Sequence, residues 1–407
     1  MSWSTYRMQS TFADLGVSPG LAGRLESRGI LAPFPIQEAA IPPALAGRDI
    51  AGRAPTGSGK TLAFGLPIAQ RVERARPGRP RALILAPTRE LAAQIRDELA
   101  PLLATRQRSV AAFYGGTSYV PQRKLLNRGV DVLVACPGRL ADLMARGNVT
   151  LDEVQTVVVD EADRMADMGF LPDVRRILDK VPGQRQTLLF SATLDGAVDV
   201  LIRRYQRDVL RCDVAAPDPA DDATVHRFVM VAQQQRIGLT ADLIGEHGST
   251  LVFCRTKRGA DRVAAQLAKA GVGAVAIHGD RSQSQRERAL AAFSGRRVQA
   301  LVATDVAARG IHVSDVGCVV HFDPPADVKD YVHRSGRTGR AGASGVVVSL
   351  VTDADKLKVR QLQRALGLAR EEGPAVRPDR EAHRPAQVAS RRARGTAGSR
   401  RRAQRPA

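Results

Sequence analysis

The stretch "TVVVDEADRMADMGF" at residues 156–170 decides how this chain is read. Four β-branched residues, Thr156 to Val159, run without polar alternation, the pattern of a strand buried on both faces in a parallel sheet. The run then releases three acids, Asp160, Glu161 and Asp163. Carboxylates that close together repel, so a positive group is expected among them.

The segment "DIAGRAPTGSGKTLAFGLPIA" at 49–69 supplies one. It reads as a short strand, a glycine-rich turn and the start of a helix. Glycines let the backbone N–H groups of Thr56, Gly57, Ser58 and Gly59 converge on phosphate oxygens, Lys60 neutralises charge there, and the Thr61 hydroxyl can ligate Mg²⁺. Ala54 stands where the generic phosphate-loop pattern has its first glycine, so that pattern fails by one residue. The alternative is a plain glycine-rich turn at a helix start; the strand before it and the helix after it favour phosphate. A strand ending in Asp160, about one hundred residues after Lys60, gives a Mg²⁺–nucleotide site its second wall. Asp160 would hold the ion through water and Glu161 would position the attacking water. Asp163 is read as a structural link, with a cap of the helix expected over "RMADMGFLPDVRRILDK" as the alternative.

Apolar runs of the same kind recur in both halves. The first half has "RALILAP", "DVLVAC", "TVVVD" and "TLLFS"; the second has "TLVFC", "GAVAI", "QALVAT", "GCVVHF" and "GVVVSLV". Separated by helical patterns, they predict two α/β lobes. "DVAAPDPADDAT" at 213–224 carries no pattern and reads as the linker. The last stretch, 374–407, holds ten arginines against Asp379 and Glu381, a surplus of eight charges, without aliphatic periodicity; disorder is the expectation.

The 407 residues are too many for one ordinary core. A net charge of +20 calls for a polyanionic partner, most simply nucleic acid, with an acidic membrane surface as the alternative that charge alone leaves open. The N-terminus has no apolar signal region and no run long enough to span a membrane. Cys136, Cys212, Cys254 and Cys318 are scattered with no C-x-x-C pair, which argues against a zinc site or disulfide framework and suits a reducing cytoplasm.

With these residues in view, the chain resembles the DEAD-box RNA helicases, whose name is spelled by Asp160-Glu161-Ala162-Asp163. The resemblance rests on an ordered set covering about residues 10–345. "GILAPFPIQ" (29–37), with Phe12 seventeen residues before Gly29, looks like the adenine-reading element: Phe12 stacking on the base, Gln37 contacting its edge. "APTGSGKT" (54–61) is similar to the family's own phosphate loop, which accounts for Ala54. "PTREL" (87–91), "GG" (115–116) and "PGR" (137–139) resemble RNA-contacting loops, and "SAT" (191–193) the element coupling ATP state to strand separation. The second half adds "VFCRTK" (252–257), "HGDRSQSQR" (278–286), "TDVAARGI" (304–311) and "HRSGRTGR" (333–340).

The resemblance implies two tandem RecA-like parallel-sheet lobes that bind ATP with Mg²⁺ and close on RNA. The expected divisions are an adenine-recognition segment at 10–38, an ATP-binding lobe at 39–212, the linker, a C-terminal lobe at 225–372 and the tail from 373. Arg337 and Arg340, three apart on one helical face, become arginine fingers; alone, they sit in a basic loop that solvation explains equally well. Gly310 and His312 fall on the ATP ribose, while Ser191, Thr193, Arg309 and His333 couple the two sites. RNA contacts are implied for Pro87, Thr88, Arg89, Gly115, Gly116, Pro137, Gly138, Arg139, Arg255, Gly279, Arg286 and Thr304. An aromatic content of 4% is too low for a stacking platform, so contact is expected to run through the RNA backbone.

Three positions depart from the family's commoner pattern: Pro55 for glutamine, Cys136 for threonine and His312 for an aspartate on the ribose. An imidazole at 312 makes ribose contact weaker or pH-sensitive. The rival readings are an ATP-gated RNA clamp or chaperone with little unwinding, and a DNA translocase on the same lobes. The expectation is a monomer, associated with ribonucleoprotein or ribosome assembly, and the Ala- and Arg-heavy composition suggests a bacterial source.

Overall fold

The structure is a computed structural model that describes residues 10–55, 57–214, 224–308, 316–339 and 345–368. Its first sheet has seven strands: β1 (Ile50–Arg53), β2 (Ala82–Leu85), β3 (Val110–Phe113), β4 (Val132–Ala135), β5 (Thr156–Asp160), β6 (Gln186–Ser191) and β7 (Leu210–Asp213). The second has six: β8 (Thr224–Met230), β9 (Thr250–Phe253), β10 (Ala274–Ile277), β11 (Ala300–Ala303), β12 (Cys318–His321) and β13 (Gly345–Val351). The spatial orders are β3-β4-β2-β5-β6-β1-β7 and β10-β11-β9-β12-β13-β8, and every pairing is parallel.

Helices cover both faces of each sheet, so alternate residues of a strand feed different cores. In β2, Ala82 and Ile84 join one core with Phe64 and Leu99; Leu83 and Leu85 join the other with Leu140 and Ile177. In β9, Leu251 and Phe253 face one way and Val252 the other. Two buried faces per strand are the reason the sequence runs are apolar without alternation.

Besides β1, read with the phosphate loop, three strands fall outside the quoted runs. β3, short though wholly apolar, and β7 lie at the edges of the first sheet, and β8 at the edge of the second shows alternating exposure. Edge strands are only partly buried and need less apolar content. The expected linker begins on Asp213, the last residue of β7, and ends on Thr224, the first of β8; most of it, 215–223, lies outside the described residues. The expected disordered tail also lies outside them. The single helix expected over 164–180 is instead two, Ala162–Asp167 and Leu171–Leu178. Gly169, at φ 75°, adopts the left-handed turn that ends the first.

Strand order positions the site. β5, β6 and β1 are neighbours, with Asp160 paired to Phe190 and Ser191 to Arg53. Their carboxyl ends therefore bring the acids, the Ser191 turn and the phosphate loop to one sheet edge, where parallel sheets hold ligands.

Candidate active site

Gly57 and Gly59 both have positive φ, 87° and 84°. At 59 a Cβ would also collide with the Gln37 amide and the Phe34 ring, so only glycine fits. Lys60 begins the helix Lys60–Arg71, and its ammonium donates to the carbonyls of Ala54, at 2.8 Å, and Pro55, at 3.1 Å. The Ser58 hydroxyl donates to Pro55 O at 2.8 Å. The loop thus closes around its own lysine, which a phosphate would draw away from two carbonyls. Thr61 is half-buried on the first helical turn; Thr56 lies outside the described residues.

Asp160 is buried, and one oxygen accepts the Glu161 N–H at 3.0 Å. Burial pushes its carboxyl up to about 7; Lys60 pulls it down and Glu161 pushes it further up. A buried carboxyl with so little compensation is chemically suited to a cation. Glu161 sits at φ 52°, ψ 52°, a left-handed conformation seldom taken by a non-glycine residue and often found at functional sites. Burial alone would raise its pKa, but Arg164, Lys60 and Arg337 outweigh that and hold it below the ordinary carboxylate range.

Arg164, buried and ion-paired to Glu161, is the cation that the sequence reading missed. The signal was present: Glu161 and Arg164 are three residues apart, on one helical face. Asp163 connects to the neighbouring strand end, its N–H donating to Ser191 Oγ at 3.1 Å. Thr193, two residues on, is exposed.

The adenine-side residues are arranged differently from expectation. Gln37 is buried and both ends of its amide are engaged: Oε1 accepts the Phe34 N–H and Nε2 donates to Gly59 O, each at 2.9 Å. It ties the segment to the phosphate loop. Phe12 is 3% exposed inside the first lobe's core, which leaves no open ring face for a base. The exposed aromatic beside Gly59 is Phe34, at 45%.

In the second lobe the helix Val328–Ser335 carries His333, half-buried, and leads into buried Arg337. Arg334, also missed, anchors this helix. It forms a bidentate pair with Asp305, at 2.6 and 2.8 Å, donates to Asp323 O at 2.7 Å and lies over the Phe253 ring. Asp305, Ala308, Asp330, His333, Arg334 and Arg337 line a small cleft. Thr304 is buried, with its carbonyl accepting the N–H groups of Ala307 and Ala308. Arg309, Gly310, His312 and Arg340 lie outside the described residues.

Among the candidate RNA loops, Pro87 is buried and Thr88 caps the helix Arg89–Ala104, accepting the Leu91 N–H at 3.3 Å. Arg89 lies directly over Gly115 and Gly116. Gly138 is exposed after buried Pro137, and Arg255 and Gly279 are exposed on the second lobe. Two arginines expected to contact RNA are instead engaged within the protein. Arg139 is buried, donating to Gln122 Oε1 at 2.8 Å and Thr117 O at 3.0 Å with Tyr119 against it, so it braces the glycine loop from behind. Arg286 is consumed by an ion pair with Glu90 of the first lobe at 3.0 Å.

Residues 34–200 match the DEAD/DEAH box helicase family and 235–342 the helicase conserved C-terminal domain. A DEAD box protein from the hyperthermophile Methanococcus jannaschii is 35% identical, the match covering 88% of this chain and 98% of that one at a TM-score of 0.52. The chain belongs to the DEAD-box family. S. cerevisiae Dbp5 bound to RNA and ADP BeF3 matches at 30% identity and TM-score 0.77, over 88% of this chain and 93% of that one. A mitochondrial DEAD-box ATP-dependent RNA helicase 9 of Arabidopsis thaliana is 43% identical over 90% of this chain, which spans only 62% of that protein. Chloroplastic helicase 3A of Zea mays is 44% identical, with 49% of its length spanned. These relatives are plant proteins, and the DEAD-box core is what they share with this chain.

Proposed function

We propose that this DEAD-box chain is an RNA-dependent ATPase that closes its two lobes on RNA and ATP, separates short duplexes locally, and hydrolyses ATP to reset. The observation that carries the reading is the contact between the lobes, Arg286 with Glu90 at 3.0 Å and Lys329 with Asp167 at 2.7 Å, with second-lobe Arg337 buried and within charge range of Glu161. Further closure would bring that arginine to the γ-phosphate beside the acid, where an arginine finger stabilises the charge of phosphoryl transfer. The likeness to Dbp5, held with RNA and ADP BeF3, supports the same pair of ligands.

Thr61 and Asp160 would hold Mg²⁺, with Asp160 acting through water. The protein offers one hydroxyl and one buried carboxylate, which suits an ion that keeps most of its water and takes phosphate oxygens. When bound, Mg²⁺ supplies charge neutralisation on the β- and γ-phosphates. Lys60 leaves the Ala54 and Pro55 carbonyls for the phosphates. Glu161, kept ionised by Arg164 and Lys60, orients the attacking water and accepts its proton. Arg337 and Arg340 stabilise charge on the transferring group. Phe34, the open aromatic beside the phosphate loop, faces the base, and Gln37 holds that segment against Gly59. RNA is held through backbone N–H groups at Gly115, Gly116 and Gly138 and through Arg89 and Arg255, contacts that fix a strand without reading its sequence.

The four cysteines are free thiols, which suits a reducing cytoplasm, and we read the protein as a monomer that joins ribonucleoprotein. Steady-state ATPase with RNA, without it, and with matched single-stranded DNA tests the reading, beside Glu161→Gln. RNA-stimulated turnover that falls about 10²–10⁴-fold in the variant is expected. RNA binding without turnover would instead favour the clamp, and equal stimulation by DNA the translocase.

A further inference from the structure

We infer that the helix Tyr119–Arg128 is a second RNA track, gripping the phosphate backbone of RNA that extends beyond the strand held between the lobes. The inference rests on the RNA reading above but concerns residues that reading does not use.

The helix begins directly after the Gly115–Gly116 loop, capped by Ser118, and ends at Gly129, at φ 87°. It buries Gln122 and Leu126 and exposes Lys124 and Arg128 on the opposite side, with Arg123 on the flank and Val120 and Leu125 exposed between them. The helix contains no acid. None of the three cations forms an ion pair or side-chain hydrogen bond among the described residues, although acids pair with arginines over much of the first lobe. Arg128 lies in the last turn, where the helix dipole favours a cation and offsets its repulsion with Lys124 four residues before. Arg123 and Lys124 gain no such local support, and a polyanion laid along the helix accounts for them.

The cationic side is rigidly joined to the glycine loop. Gln122 Nε2 donates to Thr117 Oγ1 at 2.8 Å and to Tyr114 O at 3.3 Å, and its Oε1 accepts from Arg139. Tyr119, against which Arg139 and Arg146 both pack, is bonded to Asp142 and pins the first turn. A strand leaving Gly116 therefore meets cations at fixed positions within about three helical turns. Single-stranded RNA gives a salt slope of about 0.7 per phosphate neutralised, so three contacts would contribute about 2.

The test is a triple variant, Arg123→Gln, Lys124→Gln and Arg128→Gln, in the full chain. A matched control removes three exposed first-lobe cations elsewhere, Arg24, Lys180 and Arg207. Affinity is measured against salt on a long single-stranded RNA and on one just long enough to stimulate ATPase. The expected result is a salt slope lower by about 2 on the long RNA only. The short RNA and the maximal RNA-stimulated turnover should be unchanged, and the control should keep the wild-type slope. An unchanged slope on long RNA overturns the inference, as does an equal loss in the control. If the wild-type chain binds no RNA and its ATPase ignores it, the RNA reading itself has failed.

Discussion

Arg286 of the second lobe faces Glu90 of the first across 3.0 Å, with only 11% and 4% of the two side chains exposed. It is a charge pair rather than a well-aligned hydrogen bond, since Glu90 Oε1 and Arg286 Nε both lack hydrogen-bond partners. Burial holds the Arg286 pKa below its ordinary value, an effect that Glu90 offsets only in part. Such a pair exists only while the lobes are together.

Removing one partner of a buried pair typically costs about 3–5 kcal/mol. Arg286→Ala should therefore weaken closure, read as an apparent RNA affinity lower by about 100-fold in RNA-stimulated ATPase. Exchanging the charges, Glu90→Arg with Arg286→Glu, should recover part of the loss. Lys329 with Asp167, bonded at 2.7 Å but more exposed, also crosses between lobes. Lys329→Ala should cost less than about 1 kcal/mol.

Arg164 is the partner that keeps Glu161 ionised. Arg164→Ala should reduce turnover about 10–100-fold while RNA binding stays intact, because a general base is useful only in its ionised form. ATPase and RNA affinity measured on the same preparation check the split. Equal losses in both would mean that Arg164 serves the fold and not the acid.

Gly116 has φ 79°, and a Cβ there would strike the Arg89 guanidinium. Gly116→Ala should cost about 1–2 kcal/mol through the left-handed backbone. It should also displace Arg89, lowering RNA affinity about tenfold. Thermal unfolding and RNA titration separate the two effects. A stability loss with unchanged RNA affinity would remove Arg89 from the contact.

His321 is fully buried, with Nδ1 at 2.9 Å from Ser349 Oγ and Nε2 without a hydrogen-bond partner among the described residues. Burial, then Arg334 and His226, hold its pKa well below 6.5. Here the unfolded chain binds the proton first. The stability is therefore complete above about pH 6.5 and is lost as pH falls below that value, by up to about 1.4 kcal/mol per unit. Urea unfolding between pH 5 and 7.5 should show this slope, and His321→Phe should flatten it. A wild-type slope in the variant would assign the acid sensitivity elsewhere.

The sequence by itself determined the two parallel sheets, because a strand covered on both faces must be apolar throughout and β2, β5 and β9 show that plainly. It also pointed to the glycine-rich loop and the acids that the structure brings to one sheet edge, since Gly57, Gly59, Lys60, Asp160 and Glu161 are marked by local backbone shape and charge. Which other side chains reach those atoms was decided by the tertiary structure. Phe12 and Phe34 are both aromatics near the same motif, and only packing shows that the first is core and the second open. Arg89, Arg139 and Arg286 look alike as loop arginines, yet one lies over the glycine loop, one braces it and one joins the lobes. An arginine's role depends on which carboxylate or carbonyl lies within about 3 Å of it, and for residues distant in sequence that separation is set only when the lobes fold and close.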